Sequence, residues 1–313
     1  MMSQVVVRRL LSALILVAVA SVACFSIVAV FPGNVARVIA EMRSSTVSDE
    51  IVKQIEVQYG LKDPVPLRYL RWAGRAVHGD LGESLRTGEP VAKDLVRRAP
   101  PTVILILGGG AFTLVMGMGL AFLGALFPDS IIDRVIHVLS LIGASAPKFF
   151  IAALLVYAFG VAFRILPTYG FAGPASWILP CISIGIIPGS ILSRVARVAL
   201  AEEMSRQYVV TAISKGLSRR RILVHDALPN ALPVTINAFA MHFAFMVQAA
   251  LVIEPIFAWQ GIAAYFVEAV RFRDYQVLQS CLLVFCVFFI LVNLTVDLIS
   301  MALDPKQGRQ RLA

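Results

Sequence analysis

Long apolar runs dominate this chain: Leu10–Phe31, Thr102–Phe127, Val135–Phe163, Trp177–Leu200, Leu232–Ile253 and Val277–Leu303. A helix that crosses a bilayer needs about 20 apolar residues, because each backbone N–H and C=O must find its partner inside the segment. A soluble domain of 313 residues would need more surface charge than the 15% present here, against 58% hydrophobic residues and a mean hydropathy of +0.81. The expected fold is all-α: a polytopic membrane protein with six transmembrane helices. Lys148 beside Pro147 interrupts the third run. Pro180 and Pro188 predict kinks in the fourth, which neighbouring helices would tolerate by covering the freed carbonyls.

Orientation follows from Lys and Arg in the short connections. With the N-terminus in the cytoplasm, the basic residues from Arg194 to Arg221 fall inside, with Arg8, Arg9, Arg134, Lys306, Arg309 and Arg311. Only Arg164, Arg271 and Arg273 then lie in short outer loops, and the C-terminus returns to the cytoplasm. The expected division is a cytoplasmic tip and first helix over 1–31, an extracytoplasmic segment over 32–101, a five-helix core over 102–303, and a tail over 304–313. Helical patterning is expected around Val47–Tyr59 and Leu67–Val77, and turns at Gly79–Gly82 and Gly88–Pro90. Ser21-Val22-Ala23-Cys24 faintly resembles a lipoprotein cleavage site, but the apolar stretch runs on to Phe31, too long for a cleaved signal, and reads as an uncleaved span.

The net charge of +9 sits beside the apolar runs, which points to topology and anionic headgroups rather than nucleic acid. Cys24, Cys181, Cys281 and Cys286 all lie within apolar runs, with neither a disulfide framework nor metal-ligand spacing. No catalytic signature such as HExxH or GxSxG is present, so no catalytic or metal residue is assigned.

The informative connection is the inner one, 202–229. Tyr208, Thr211, Ala212 and Lys215 share one helical face, and Gly216 stands where a helix end needs positive φ. Ser218 is placed to cap a second helix, which Pro229 stops or kinks. Arg219, Arg220 and Arg221 fall in its first turn, against the helix macrodipole, where lipid phosphates or an acidic partner would favour them; by themselves they read as an ordinary basic loop obeying the positive-inside rule.

This segment resembles the cytoplasmic coupling loop of ABC-importer permeases: Glu-Ala-Ala, three residues, Gly, nine residues, Ile, one residue, Leu-Pro. Ala212, Gly216, Leu228 and Pro229 fit that pattern; Val210, Thr211 and Asp226 replace its Glu, Ala and Ile. These departures are of the kind seen in the dipeptide, oligopeptide and nickel branch. Gly79-Asp80-Leu81-Gly82 with Ser84, Leu166-Pro167, Glu254–Phe257, Arg273-Asp274-Tyr275, and Asn293 through Asp297 to Asp304-Pro305 resemble that branch in order and spacing. Gln260 and Lys148 depart from it.

The resemblance implies a subunit of the bacterial cytoplasmic membrane that pairs with a second permease, two cytosolic ATPase subunits and an external binding protein. It implies that Thr211, Ala212, Lys215, Gly216, Leu228 and Pro229 belong to the ATPase-coupling loop. No GxxxxGK[ST] loop is present, so ATP and Mg are expected on the partner subunits, with no cofactor on this chain. Substrates of the branch include peptides, nickel or metal chelates, some sugars and glutathione; the loop Arg164–Ser176 and the words around Met241-His242 and Ile253–Trp259 lean toward nickel-type members.

Ionisable and polar groups inside spans are costly and are default functional candidates. His242, Gln248 and Glu254 are the candidate translocation path. His242 reads equally as an interhelical hydrogen-bonding residue, and Glu254 as an interfacial residue facing water. Asn293 and Asp297 read as packing glue, or as a link to the coupling loop. The alternatives to an importer permease are a stand-alone secondary transporter or channel, which would not need the Gly216–Pro229 unit, and an intramembrane enzyme, which would need a catalytic group that is missing.

Overall fold

A computed structural model describes residues 2–30, 36–37, 40, 48–58, 62–171 and 173–303. Among them, α1 is Met2–Val30, α2 Asp49–Gln58, α3 Val65–Val77, α4 Val91–Leu126 and α5 Ile131–Ser145. Next, α6 is Lys148–Leu155, which continues as a π-helix over Val156–Ala162, and α7 is Pro174–Met204. Then α8 is Gln207–Ser214, and α9 is Arg219–Ile222, followed by a π-helix over Leu223–Ala227. Finally α10 is Leu228–Ala244, α11 Met246–Ile256, α12 Ile262–Phe272 and α13 Tyr275–Leu303. No strand occurs among the described residues; the one isolated bridge joins Glu83 and Pro90. The C-terminal tail, including Asp304-Pro305, lies outside the described residues, as do Phe31 and Tyr59 at the ends of their expected helices.

Four helices are long and apolar enough to cross a membrane, within Val7–Ser26, Val91–Leu126, Pro174–Met204 and Tyr275–Thr295. Two bent pairs, Ile131–Ser145 with Lys148–Ala162 and Arg219–Ala244 with Met246–Ile256, raise the number to six if each is one span. The third apolar run is therefore not one straight helix: its halves meet at 110°. The cause is local. Ala146 precedes proline and is pushed to ψ 140, Pro147 follows at ψ 138, and two consecutive extended residues end a helix. The fourth run behaves oppositely, since α7 keeps Pro180 and Pro188 inside one continuous helix. The fifth run bends by 49° at Phe245, where no proline had signalled a break. In the second run, α4 begins at Val91, well before the expected start at Thr102, and carries Pro100 and Pro101 inside.

The chain divides into two compact units. The first comprises Met1–Thr102 and Gln260–Leu291. Its core joins Val52 and Ile55 of α2, Leu85, Val91 and Leu95, Ile262, Tyr265 and Ala269 of α12, and Val277, Leu278 and Cys281 of α13. Turns at Gly79, Gly82 and Gly88 all have positive φ. The Asp80 carboxylate accepts the Gly82 N–H at 2.9 Å, an Asx-type turn. Buried Ser84 donates to Asp274 at 2.6 Å, and Asp274 also accepts the N–H groups of Arg86 and Val277. The Tyr265 hydroxyl donates to Asp94 at 3.1 Å; its burial, with that carboxylate beside it, pushes the phenol pKa up.

The second unit comprises Val103–Trp259 and Val292–Ala313. Its centre is α7, against which α5 and α10 pack. Close approach of α4 and α7 depends on glycine. A Cβ on Gly185 would stand 2.6 Å from the Gly109 carbonyl oxygen, and one on Gly117 would stand 2.9 Å from the Leu192 Cβ. Thr113 donates to the Gly185 carbonyl, and Ser140 of α5 meets Ser193 of α7 at 2.7 Å. Small residues and hydroxyls are how membrane helices attract each other, since lipid offers no hydrophobic driving force between them.

Candidate functional site

The connection between α7 and α10 folds as a helix, a glycine turn and a second helix. Helix α8 closes on Gly216, whose φ is +79°. The Gly216 N–H donates to the Ile213 carbonyl at 2.9 Å and the Leu217 N–H to the Ala212 carbonyl at 3.2 Å. These two bonds make a Schellman closure, which needs a left-handed residue where glycine stands. A Cβ on Gly216 would meet nothing within 4 Å, so backbone conformation alone selects glycine there.

Ser218 precedes α9 as expected, but its side chain caps no N–H. Nor does Pro229 stop the second helix. The chain runs from α9 through the π-turn into α10, with Pro229 in the first turn of that element. Proline lacks an N–H and its ring crowds the carbonyl four residues back. The wider π-turn over Leu223–Ala227 lies where that carbonyl falls and opens the helix there.

Leu228 packs on a buried cluster of Ala121, Ala125, Ala196, Leu200, Leu223, Ala227 and Ala231. Ala212 is half-buried, while Thr211, Lys215, Gly216 and Pro229 are exposed. Val209 faces inward, whereas Val210 and Ile213 are 60% and 58% exposed. The Tyr208 hydroxyl donates to Glu203 at 3.0 Å; burial, then this carboxylate, raise its pKa.

Two polar contacts, one of this connection and one of α7 before it, had no signal in the sequence. Arg219 Nε donates to the Ala125 carbonyl at 3.0 Å, in the last turn of α4. The first of the three arginines thus finds one partner within the chain, at the negative end of another helix dipole. Arg197 of α7 donates to both carboxylate oxygens of Asp133 in α5, at 3.0 and 2.8 Å. Gly124 leaves room for this pair: a Cβ there would stand 2.7 Å from Asp133 Oδ1 and 3.1 Å from Arg197 Nε. Arg197 is therefore an ion-paired structural residue, although it reads in the sequence as a topology charge.

The candidate path residues are not gathered into one cluster. His242 is half-buried in the last turn of α10, and Gln248 is exposed in the first turn of α11, across the 49° bend. Glu254 corrects an expectation: it is 0% exposed, so it faces no water. A tight aromatic turn follows it. The Trp259 N–H returns to the Glu254 carbonyl at 2.8 Å, helped by Ala258 at φ 48°, and buries Phe257 and Trp259. Gly170 donates to the Phe257 carbonyl, and Phe171 stacks on Trp177 while meeting Trp259 edge-on, at centroid distances of 5.6 and 4.9 Å. Lys148 opens α6 directly after the Pro147 break, half-buried and without a hydrogen-bonding or ionic partner among the described residues.

Broken apolar helices around a small-residue core, with a polar helix–glycine–helix connection between two of them, define a membrane transport permease. In fold, the chain is similar to one from the MetNI methionine ABC transporter in inward facing conformations, with a TM-score of 0.56 at 18% identity, covering 67% of this chain and 96% of that one. The chain belongs to the family of binding-protein-dependent transport system inner membrane components, which matches residues 113–309, with the corresponding N-terminal family over residues 2–106. It is 31% identical over 309 residues to a probable peptide ABC transporter permease protein, y4tP, of Sinorhizobium fredii, covering 96% of this chain and 98% of the relative. It is also 31% identical over 300 residues to the glutathione transport system permease protein GsiC of Escherichia coli K12, covering 96% and 97%. It is a permease subunit of a binding-protein-dependent ABC importer.

Proposed function

We propose that this subunit sits in the bacterial cytoplasmic membrane with both termini inside, and that it carries a small peptide or a peptide-like thiol such as glutathione, handed over by an external binding protein. Residues 202–229 form the coupling loop and dock a cytosolic ATPase subunit, which binds the ATP and Mg. The observation that carries this reading is α8: Val210 and Ile213 present an apolar face beside exposed Thr211 and Lys215, on a helix held by Gly216 and by Arg219. A short rigid helix of this kind is suited to pass ATPase closure to α7 and α10 as a rigid-body movement. A second permease completes the path, which His242 and Gln248 line; buried Glu254 joins it only after a conformational change exposes it. Relatives bearing peptide and glutathione names favour those substrates over nickel or a metal chelate.

The test is co-purification of the tagged chain with its ATPase and second permease. Val210→Glu with Ile213→Glu should lower ATPase recovery at least fivefold while the second permease stays bound. Full ATPase recovery would remove the docking assignment. Proteoliposomes supplied with binding protein and internal ATP should take up labelled dipeptide or glutathione. Uptake driven by an ion gradient without ATP would instead favour a secondary transporter.

A further inference from the structure

The helix α3, Val65–Val77, carries three separate faces. Tyr69 and Trp72 point at α1: the Tyr69 hydroxyl meets Ser21 Oγ at 2.9 Å, and both rings pack against Phe25 at 5.6 and 5.8 Å. Arg68, Arg71 and Arg75 follow at i, i+3 and i+7 on a second face. Arg71 pairs with Asp63, while Arg68 and Arg75 have no partner among the described residues. The third face is an apolar stripe through Leu67, Leu70 and Val77, of which Leu70 is 65% and Val77 84% exposed.

The place of contact on α1 sets the depth. Counted from Arg9, the last basic residue before the apolar run, Ser21 and Phe25 lie about 18 and 24 Å along the helix axis. The hydrocarbon layer is about 30 Å thick, so the contact lies past the midplane, about 6–12 Å short of the far boundary, close to the depth at which an interfacial helix buries its apolar face. Tyrosine and tryptophan are enriched toward the membrane–water interface on that side of the midplane. Arginines spaced along the whole of α3 forbid it from crossing the hydrocarbon, and its open leucine and valine stripe is ill-suited to bulk water. A helix with both faces is accommodated in the interfacial plane, apolar side down and guanidinium groups among phosphates.

We propose that α3 is an interfacial helix that binds anionic phospholipid headgroups through Arg68 and Arg75, in the leaflet where α1 ends. The inference requires only that α1 spans the membrane, and is independent of the substrate and of the coupling loop. Its occupant is lipid because two cations without a protein partner among the described residues and an exposed apolar stripe lie on one helix, which the aromatic pair seats against a membrane-spanning α1.

The test uses the full chain in nanodiscs of phosphatidylcholine with phosphatidylglycerol. Leu70→Cys and Val77→Cys, each made with the four native cysteines replaced and labelled with bimane, should be quenched by brominated lipid and poorly by aqueous iodide. Thr87→Cys, in an exposed turn, should show the reverse. By native mass spectrometry, Arg68→Gln with Arg75→Gln should retain at least threefold less phosphatidylglycerol than the parent, with phosphatidylcholine unchanged; this variant leaves the Arg71–Asp63 pair intact. Iodide quenching at Leu70 and Val77 equal to that at Thr87, or unchanged phosphatidylglycerol retention, would overturn the proposal. Shielding that begins only when binding protein or second permease is added would also overturn it, assigning the face to protein contact.

Discussion

Ser84 donates its hydroxyl to Asp274 at 2.6 Å, both side chains almost wholly buried, across 190 residues of chain. The contact joins two short sequence words that are separately uninformative, Gly79–Ser84 and Arg273–Tyr275. Asp274 gathers three donors and caps the start of α13, while Ser84 also accepts the Thr87 N–H. A hydrogen bond to a buried charged group is worth about 1.5–3 kcal/mol. Ser84→Ala should therefore destabilise the first unit by about 2 kcal/mol, and Asp274→Ala by more, with Asp274→Asn between them. Denaturant unfolding in micelles, followed through the tryptophans, measures the order; equal effects of the alanine and asparagine variants would contradict it.

The Arg197–Asp133 pair predicts a specific non-additivity. Gly124→Ala pushes a methyl group to within 2.7 Å of Asp133 Oδ1 and should cost about 1–3 kcal/mol by overpacking. Once Asp133 is alanine the closest of these contacts is gone, and Arg197, released from its ion pair, is free to move aside. Gly124→Ala in the Asp133→Ala background should then cost much less than it does alone. A double-mutant cycle on unfolding stability reads this directly, and strict additivity would show that the glycine serves something else.

Arg219 is set apart from its two neighbours. It alone reaches a carbonyl in the final turn of α4, so Arg219→Ala should loosen the hold of that helix end on the loop. Arg219→Ala should lower substrate-stimulated ATPase activity several-fold, with Arg219→Lys milder, and Arg220→Ala and Arg221→Ala near the parent. Equal losses at all three positions would point to bulk positive charge instead of this hydrogen bond.

Gly216 offers a test of conformation free of sterics, because nothing lies near its absent Cβ. A β-carbon at positive φ costs about 1–2 kcal/mol, and asparagine tolerates that region better than valine does. Gly216→Val should leave membrane insertion and pairing with the second permease intact while uncoupling ATP hydrolysis from uptake; Gly216→Asn should retain most uptake. Vesicle uptake measured beside ATPase activity separates the two. Parent-like behaviour of the valine variant would argue against the coupling role of this turn.

Much of the architecture was readable before any coordinates. Apolar runs imply helices because lipid leaves the backbone no other partner, and the glycine after Lys215 implied a left-handed closure, which is present. Proline was an ambiguous sign. Pro147 breaks its run by 110°, yet Pro180 and Pro188 lie within an unbroken α7. The same residue type gives different outcomes because Ala146 and Pro147 are both extended, whereas α7 keeps its two prolines within helical backbone.

The sequence by itself determined that this chain crosses a membrane several times, that its 202–229 connection folds as helix, glycine turn and helix, and that it resembles importer permeases. These are consequences of local properties: apolar length, backbone preference at one glycine, and the order of short words. Tertiary structure alone decided that Glu254 is buried rather than facing water, that Arg219 bonds the last turn of α4, and that Arg197 is tied to Asp133. Burial and pairing of this kind depend on residues far apart in the chain. A carboxylate at the end of an apolar run, or an arginine in a basic loop, carries the same local signature whether it meets water or a partner.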